Sequence, residues 1–116
     1  MEQKPIQKKQ VLAWAEKWMP IMTKPNVSYY VLDDSKYYDE AKNAGLKFDN
    51  GVSFINVYPV NSYEEALNVL PKVTDPQVLG NLIVSRMVDI YKSEGYASID
   101  TEWFKKTFTK LIELCK

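Results

Sequence analysis

Apolar residues recur at helical spacing over most of the second half of the chain. The clearest run lies between Asp75 and Gly95, where an aspartate suited to the N-cap precedes a proline and a glycine follows the last turn. Its apolar residues form a stripe and also spread round much of the circumference: Leu79, Leu82, Ile83, Met87, Ile90, Val78, Val84, Val88 and Tyr91. Because a helix that is apolar on nearly all sides is usually packed by others, the pattern predicts a central helix of about five turns.

Helix signals also mark four other segments of the chain. The predicted ranges are 5–19, 36–44, 63–70 and 100–115. Pro20 is expected to end the first helix, and Gly45 fits the left-handed position after the second, with Leu46 folding back on Ala41. Ser62 opens a Ser-Tyr-Glu-Glu capping box before the third, and Asp100 is the predicted N-cap of the last.

Two segments carry strand signals instead. Residues 27–32 are β-branched and aromatic, and residues 46–58 place Asn50-Gly51 between two apolar runs, which is typical of a β-hairpin whose second strand is 52–58. A βαβ unit with 27–32 and 52–58 parallel is the alternative. The sequence therefore predicts an α+β fold in one domain, 1–116. It would have a small sheet of two to three strands with an inserted short helix, packed against an N-terminal helix and three C-terminal helices.

Composition limits the chemistry that this chain offers. It has 116 residues, zero formal net charge, no histidine and one cysteine, Cys115. Catalysis by Ser-His-Asp or Cys-His groups is thereby excluded within the chain, and we expect no metal, no cofactor and no catalytic residues. The lone cysteine and the lack of a transmembrane run or leader predict a cytoplasmic protein without membrane contact. A basic set that is almost all lysine indicates AT-rich coding DNA, hence a bacterial, phage or plasmid origin.

Arg86 is the only arginine, and it lies at the middle of the predicted central helix. On a helical wheel it falls within the apolar stripe. A buried guanidinium requires an acid, several carbonyls or an anionic ligand. A structural ion pair, with Asp89 as the nearest local partner, is favoured over an anion or partner site.

Tyrosines and acids cluster near the junction between residues 27–32 and 36–44. The candidate binding residues there are Tyr29, Tyr30, Asp33, Asp34, Tyr37 and Tyr38. Aromatic residues are enriched at protein interfaces, whereas base stacking usually adds basic residues that this region lacks. Two acids together could hold Mg²⁺ or serve a glycosidase-like reaction, but helix capping explains Asp33 and Asp34 more simply.

Three functions remain open from the sequence. The leading hypothesis is a non-enzymatic interaction or regulatory protein that binds another protein, or itself, through the acidic tyrosine-rich surface. The second is nucleic-acid binding by the lysine face of the first helix, which zero net charge disfavours. Its residues would be Lys4, Lys8, Lys9 and Lys17, and it gains weight only if they lie beside Lys105, Lys106 and Lys110. The third is a small hydrolase or transferase that uses carboxylates.

Overall fold

The computed structural model describes residues 7–24, 36–94 and 98–116. The α-helices in these ranges are α1 (Lys8–Met22), α2 (Lys36–Asn43), α3 (Val52–Val57), α4 (Tyr63–Val69), α5 (Pro76–Asp89) and α6 (Ser98–Cys115). A 3₁₀ turn, Leu70–Lys72, extends α4, and a π-helical turn, Ile90–Glu94, extends α5. The predicted α+β fold is wrong, because the described ranges contain no strand and no sheet. The predicted strand 27–32 lies outside them.

Helix α1 continues past the proline that was expected to end it. Pro20 lies inside the helix, which runs on to Met22. A proline removes one helical N–H, but here the last turn is secured by Thr23, whose N–H and hydroxyl both donate to the Met19 carbonyl oxygen at 3.0 and 2.8 Å. Met22 is fully buried. Burial of this side chain therefore outweighs the local cost of Pro20.

The end of α2 confirms the capping predicted from the glycine. Gly45 has a φ of 97°, its N–H donates to the Lys42 carbonyl at 3.0 Å, and the Leu46 N–H donates to the Ala41 carbonyl at 2.9 Å. These two bonds form a Schellman motif. Leu46 and Ala41 are both buried, so the cap also directs the chain into the core.

The predicted hairpin over 46–58 is wrong, although its turn residues have the expected conformation. Asn50 and Gly51 have φ values of 59° and 77°, but the residues after them form α3. The Asp49 carboxylate explains this outcome, since it accepts hydrogen bonds from the N–H groups of Gly51 and Ser53 at 3.0 and 3.2 Å. These bonds satisfy donors at the start of a helix, as a capping side chain does.

The next two helices begin as predicted. The Ser62 hydroxyl accepts from the Glu65 N–H at 3.1 Å, and the Glu65 carboxylate accepts from the Asn61 N–H at 2.8 Å, one residue before the usual partner. At the start of α5, the Asp75 carboxylate accepts from the Gln77 N–H at 2.9 Å. The predicted central helix is confirmed, since every residue from 78 to 88 is buried.

Helices α1 and α6 lie against each other and α5 packs on α6. The Trp14 and Phe108 rings are 5.5 Å apart, and the Lys8 charge acts on Cys115, so α1 and α6 run antiparallel. The short α3 packs on α5 through Phe54, which is fully buried. The buried apolar side chains of the described helices belong to one cluster.

Candidate functional site

Arg86 is buried and forms a two-point ion pair across the α5–α6 contact. Its Nε donates to Asp100 Oδ1 and its Nη2 to Asp100 Oδ2, both at 2.9 Å. Both residues are over nine-tenths buried. The structural ion pair favoured by the sequence is thus present, but the expected partner Asp89 is wrong. The predicted capping role of Asp100 is also wrong, because it lies inside α6 and faces the guanidinium.

The ring of Tyr63, from α4, packs against the Arg86 guanidinium of this ion pair. The Arg86 guanidinium carbon lies 5.3 Å from the centre of the Tyr63 ring, within range for a cation–π contact. The Tyr63 hydroxyl donates to Asp89 Oδ2 at 2.5 Å, and its carbonyl oxygen accepts from Trp103 Nε1 at 2.6 Å. Asp89, the neighbour expected for the arginine, is therefore the acceptor for a tyrosine.

These contacts give Arg86 a role in holding three helices together. Among the residues that the structure describes, every buried side-chain nitrogen and oxygen has a hydrogen-bond partner. An unpaired buried charge would be the mark of an empty anion site. The geometry around Arg86 instead resembles a structural ion pair with a matched partner.

A cleft of about 290 Å³ lies beside this arrangement, between α3, the start of α4 and the end of α5. Its lining residues are Asn50, Gly51, Ile55, Val60, Asn61, Ser62, Tyr63, Leu82 and Asp89. The walls combine aliphatic side chains with the Asp89 carboxylate. Among the described residues that line the cleft, Asp89 is the charged one, and its charge is negative.

A network of buried polar groups fixes α3 next to this cleft. The Asn81 side chain accepts from the Lys47 N–H at 2.8 Å and donates to the Ser53 hydroxyl at 3.2 Å. The Ser85 hydroxyl accepts from the Gly51 N–H at 3.1 Å and donates to the Asn81 carbonyl at 3.0 Å. Two polar residues inside the apolar central helix were the sequence signal for this network, which sequence reasoning missed.

Helix α3 carries exposed apolar side chains, of which Val52 and Ile55 lie on the same side of the helix and Val57 on another. The exposed fractions of Val52, Ile55 and Val57 are 52%, 42% and 53%, and these are the large apolar side chains that are exposed in the described ranges. Their neighbour Phe54 is buried and its ring packs 5.2 Å from that of Tyr58. One short helix therefore carries both a buried anchor and an exposed apolar surface.

The predicted tyrosine-rich surface is only partly described. Tyr29, Tyr30, Asp33 and Asp34 lie outside the described residues. Tyr37 is buried, with its ring 6.1 Å from that of Trp18, and Tyr38 is half-buried. Burial, with smaller contributions from Tyr91 and Tyr38, raises the pKa of Tyr37 to about 12. Tyr37 thus belongs to the core.

Glu40, one of the two acids of α2, is already paired within the fold. Glu40 accepts hydrogen bonds from Lys17 Nζ at 2.6 Å and from Trp18 Nε1 at 2.9 Å. Burial alone would raise the pKa of Glu40, but the bonds from Lys17 and Trp18 and the nearby lysine charges lower it below its usual value. Asp39 is exposed and does not share this arrangement.

The lysines expected to bind nucleic acid lie in different surroundings. Lys8 and Lys9 are exposed on α1, Lys17 is paired with Glu40, and Lys4 lies outside the described residues. A groove of about 530 Å³ between α4 and α6 contains Lys105, Lys106, Lys110, Glu102 and Glu113. Acids thus lie beside Lys17 and beside the lysines of α6, which is not the arrangement of one basic face.

Other chemistry is limited in the described residues. Burial raises the pKa of the Cys115 thiol, an effect that the Lys8 charge partly offsets. No group of three or more histidine, cysteine, aspartate or glutamate residues is placed to hold a metal in ranges 7–24, 36–94 and 98–116. Within the same ranges, no helix is both long enough and apolar enough to span a bilayer.

Comparison with protein-family models, with curated proteins and with solved structures gives no significant match for this chain. Function must therefore be inferred from the geometry of the chain itself.

Proposed function

We propose that this chain is a non-enzymatic binding protein that contacts another protein, or a second copy of itself, through α3. The observation that carries this proposal is the concentration of exposed apolar residues on that helix: Val52, Ile55 and Val57. Single exposed apolar side chains are common, but a cluster of them on one element is typical of an interaction surface. The contact region thus lies on α3 rather than on the tyrosines of α2.

The way α3 is attached supports a role in binding. Phe54 is fully buried, and Asn81 and Ser85 hold the loop before the helix by hydrogen bonds. The exposed side chains are therefore presented by a fixed backbone. A surface ordered before binding loses less conformational entropy on association, which favours affinity.

The two alternative functions find less support. The Glu40 carboxylate is held by Lys17 and Trp18, so its lone pairs are already engaged in structural contacts. The lysines of α6 share their groove with Glu102 and Glu113, which weakens attraction for a phosphate backbone. The cytoplasmic location expected from the lone cysteine stays a prediction.

Site-specific photo-crosslinking tests the proposal. A photoreactive amino acid replaces Val57, and in a matched control it replaces Thr109, which is exposed on α6. After irradiation in an extract of the source cells, we expect an adduct from position 57 that excess unmodified protein competes away. A homodimer adduct would assign the surface to self-association. The absence of an adduct, or the same adduct from both positions, would contradict the proposal.

A further inference from the structure

We infer that the cleft beside α3 receives a lysine or arginine side chain from the protein segment that binds α3. This inference rests on the proposed function and adds the chemistry of the partner. The cleft is lined by Ile55, which shares an exposed side of α3 with Val52. The apolar surface and the cleft are therefore continuous, and one bound segment can occupy both.

The walls of the cleft match the two parts of a long basic side chain. Ile55, Val60 and Leu82 supply aliphatic surface for its methylene stem, and Asp89 supplies a carboxylate for its cationic head. Within the described part of the chain, Asp89 has no ion-pair partner, whereas the Arg86 charge is matched by Asp100. The charge that complements this cleft is positive.

Tyr63 orients the carboxylate toward such a ligand. Its hydroxyl donates to Asp89 Oδ2 at 2.5 Å, and its ring packs edge-on against the Trp103 ring at 5.5 Å. One carboxylate oxygen is thereby fixed, and Oδ1 retains lone pairs for a donor from the partner. A hydrogen bond between charged groups is stronger than one between neutral groups.

An anionic ligand fits this cleft less well. The start of α4 borders the cleft, but the Glu65 N–H is bonded to the Ser62 hydroxyl and the Asn61 N–H to the Glu65 carboxylate. These N–H groups are therefore already satisfied. The Asp89 carboxylate would also repel an anion. A cationic side chain is therefore the better match in charge.

Selection of random displayed peptides on the immobilised protein tests this inference. We expect the enriched peptides to share a lysine or arginine flanked by apolar residues. Asp89→Asn keeps an acceptor for Tyr63 but removes the charge, so binding of these peptides should weaken about tenfold or more. The matched control is Glu113→Gln, which removes an exposed carboxylate from α6 with the same change in net charge. It should leave binding unchanged.

A double-mutant cycle then assigns the contact. Norleucine replaces the basic residue of the selected peptide. This change should lower the binding affinity as much as Asp89→Asn does, and the two changes combined should lower it no further. If the losses of binding free energy from the two single changes add up in the combination, the two groups do not interact and the inference is overturned. Peptides that lose binding on Val52→Glu but not on Asp89→Asn would overturn it while supporting the proposed function.

Two further outcomes separate the remaining explanations. If no peptide is enriched, or if neither Val52→Glu nor Asp89→Asn weakens binding of the selected peptides, both the cleft inference and the proposed function are wrong. The small amine n-butylammonium, titrated while the Leu82 methyl signals are followed by NMR, is the last probe. Binding as tight as that of the peptide would assign the cleft to a small amine and overturn the claim for a protein segment.

Discussion

Helices α5 and α3 pack against each other, yet they bury their residues in opposite ways. In α5 every residue from 78 to 88 is buried, including the charged Arg86. In α3 only Phe54 is buried, and three of its other apolar side chains are more than two-fifths exposed. Because the polar groups of α5 have partners inside the fold, removing one partner alone is costly. The exposed side chains of α3 contribute little to stability and lie open for binding.

The largest expected effect comes from breaking the ion pair in α5. Arg86→Ala should lower the free energy of unfolding by about 3–5 kcal/mol, because it strands the buried Asp100 carboxylate. Arg86→Met should recover packing but not pairing, while Arg86→Met combined with Asp100→Leu should restore much of the loss. Urea unfolding measures all three variants.

An anion site at Arg86 would give the opposite pattern. In that case Arg86→Met would leave the midpoint of thermal unfolding unchanged or raise it, and phosphate or sulfate would stabilise the wild-type protein. Melting with and without these salts is the control. That pair of results would contradict the structural role of Arg86 and remove the contrast between α5 and α3.

Adjacent positions on α3 sharpen the contrast within one helix. Phe54→Ala should cost about 3 kcal/mol, because it opens a cavity between α3 and α5. Ile55→Ala should change stability by no more than about 0.5 kcal/mol, since the side chain is 42% exposed. Thermal unfolding of the two variants checks both. Equal losses would show that the exposed face is packed in solution and is not free for binding.

Alkaline pH should weaken the buried part of the fold through Tyr37. Because burial raises its pKa to about 12, the unfolded chain loses this proton first as the pH rises above about 10. The stability that Tyr37 contributes is full below about pH 10 and falls between there and 12, by about 2–3 kcal/mol. Tyr37→Phe should barely change the free energy of unfolding at pH 7, and it should reduce the loss of stability at alkaline pH. Identical alkaline profiles for both proteins would refute this role.

The smallest expected effect concerns the turn before α3. Gly51→Val should destabilise the fold by about 1 kcal/mol or more, because a β-branched residue resists a φ of 77°. An added Cβ would also lie 3.3 Å from the Leu82 side chain. Exposed Val52→Ala, one residue later, is the matched control and should change little. An unchanged melting curve for Gly51→Val would count against the left-handed conformation.

Local signals in the sequence predicted local structure well. Asp75, Ser62 and Gly45 mark helix ends through hydrogen bonds with residues two or three positions away, and the structure confirms all three. The apolar periodicity of α5 depends only on spacing, so it too was predictable. Each of these features is decided by the residues beside it in the chain.

Features that depend on distant residues were not predictable in the same way. The positive φ angles of Asn50 and Gly51 were expected, but whether a strand or a helix follows depends on Asp49 and on burial of Phe54 against α5. The partner of Arg86 lies 14 residues away, in the next helix. Spacing along the chain favours the local acid Asp89, because only the packing of α5 on α6 brings Asp100 to the guanidinium.

The conformation of residues 52–57 in solution tests the central claim most directly, because the exposed face exists only if this segment is helical. NMR of the backbone amides gives the answer. We expect helical Cα shifts, contacts between residues three apart, and protection of the Ile55 and Tyr58 N–H groups, which bond to the carbonyls of Gly51 and Phe54. Cα shifts typical of strands, with cross-strand contacts between residues 46–49 and 52–56, would show a hairpin and contradict the proposed binding surface on α3.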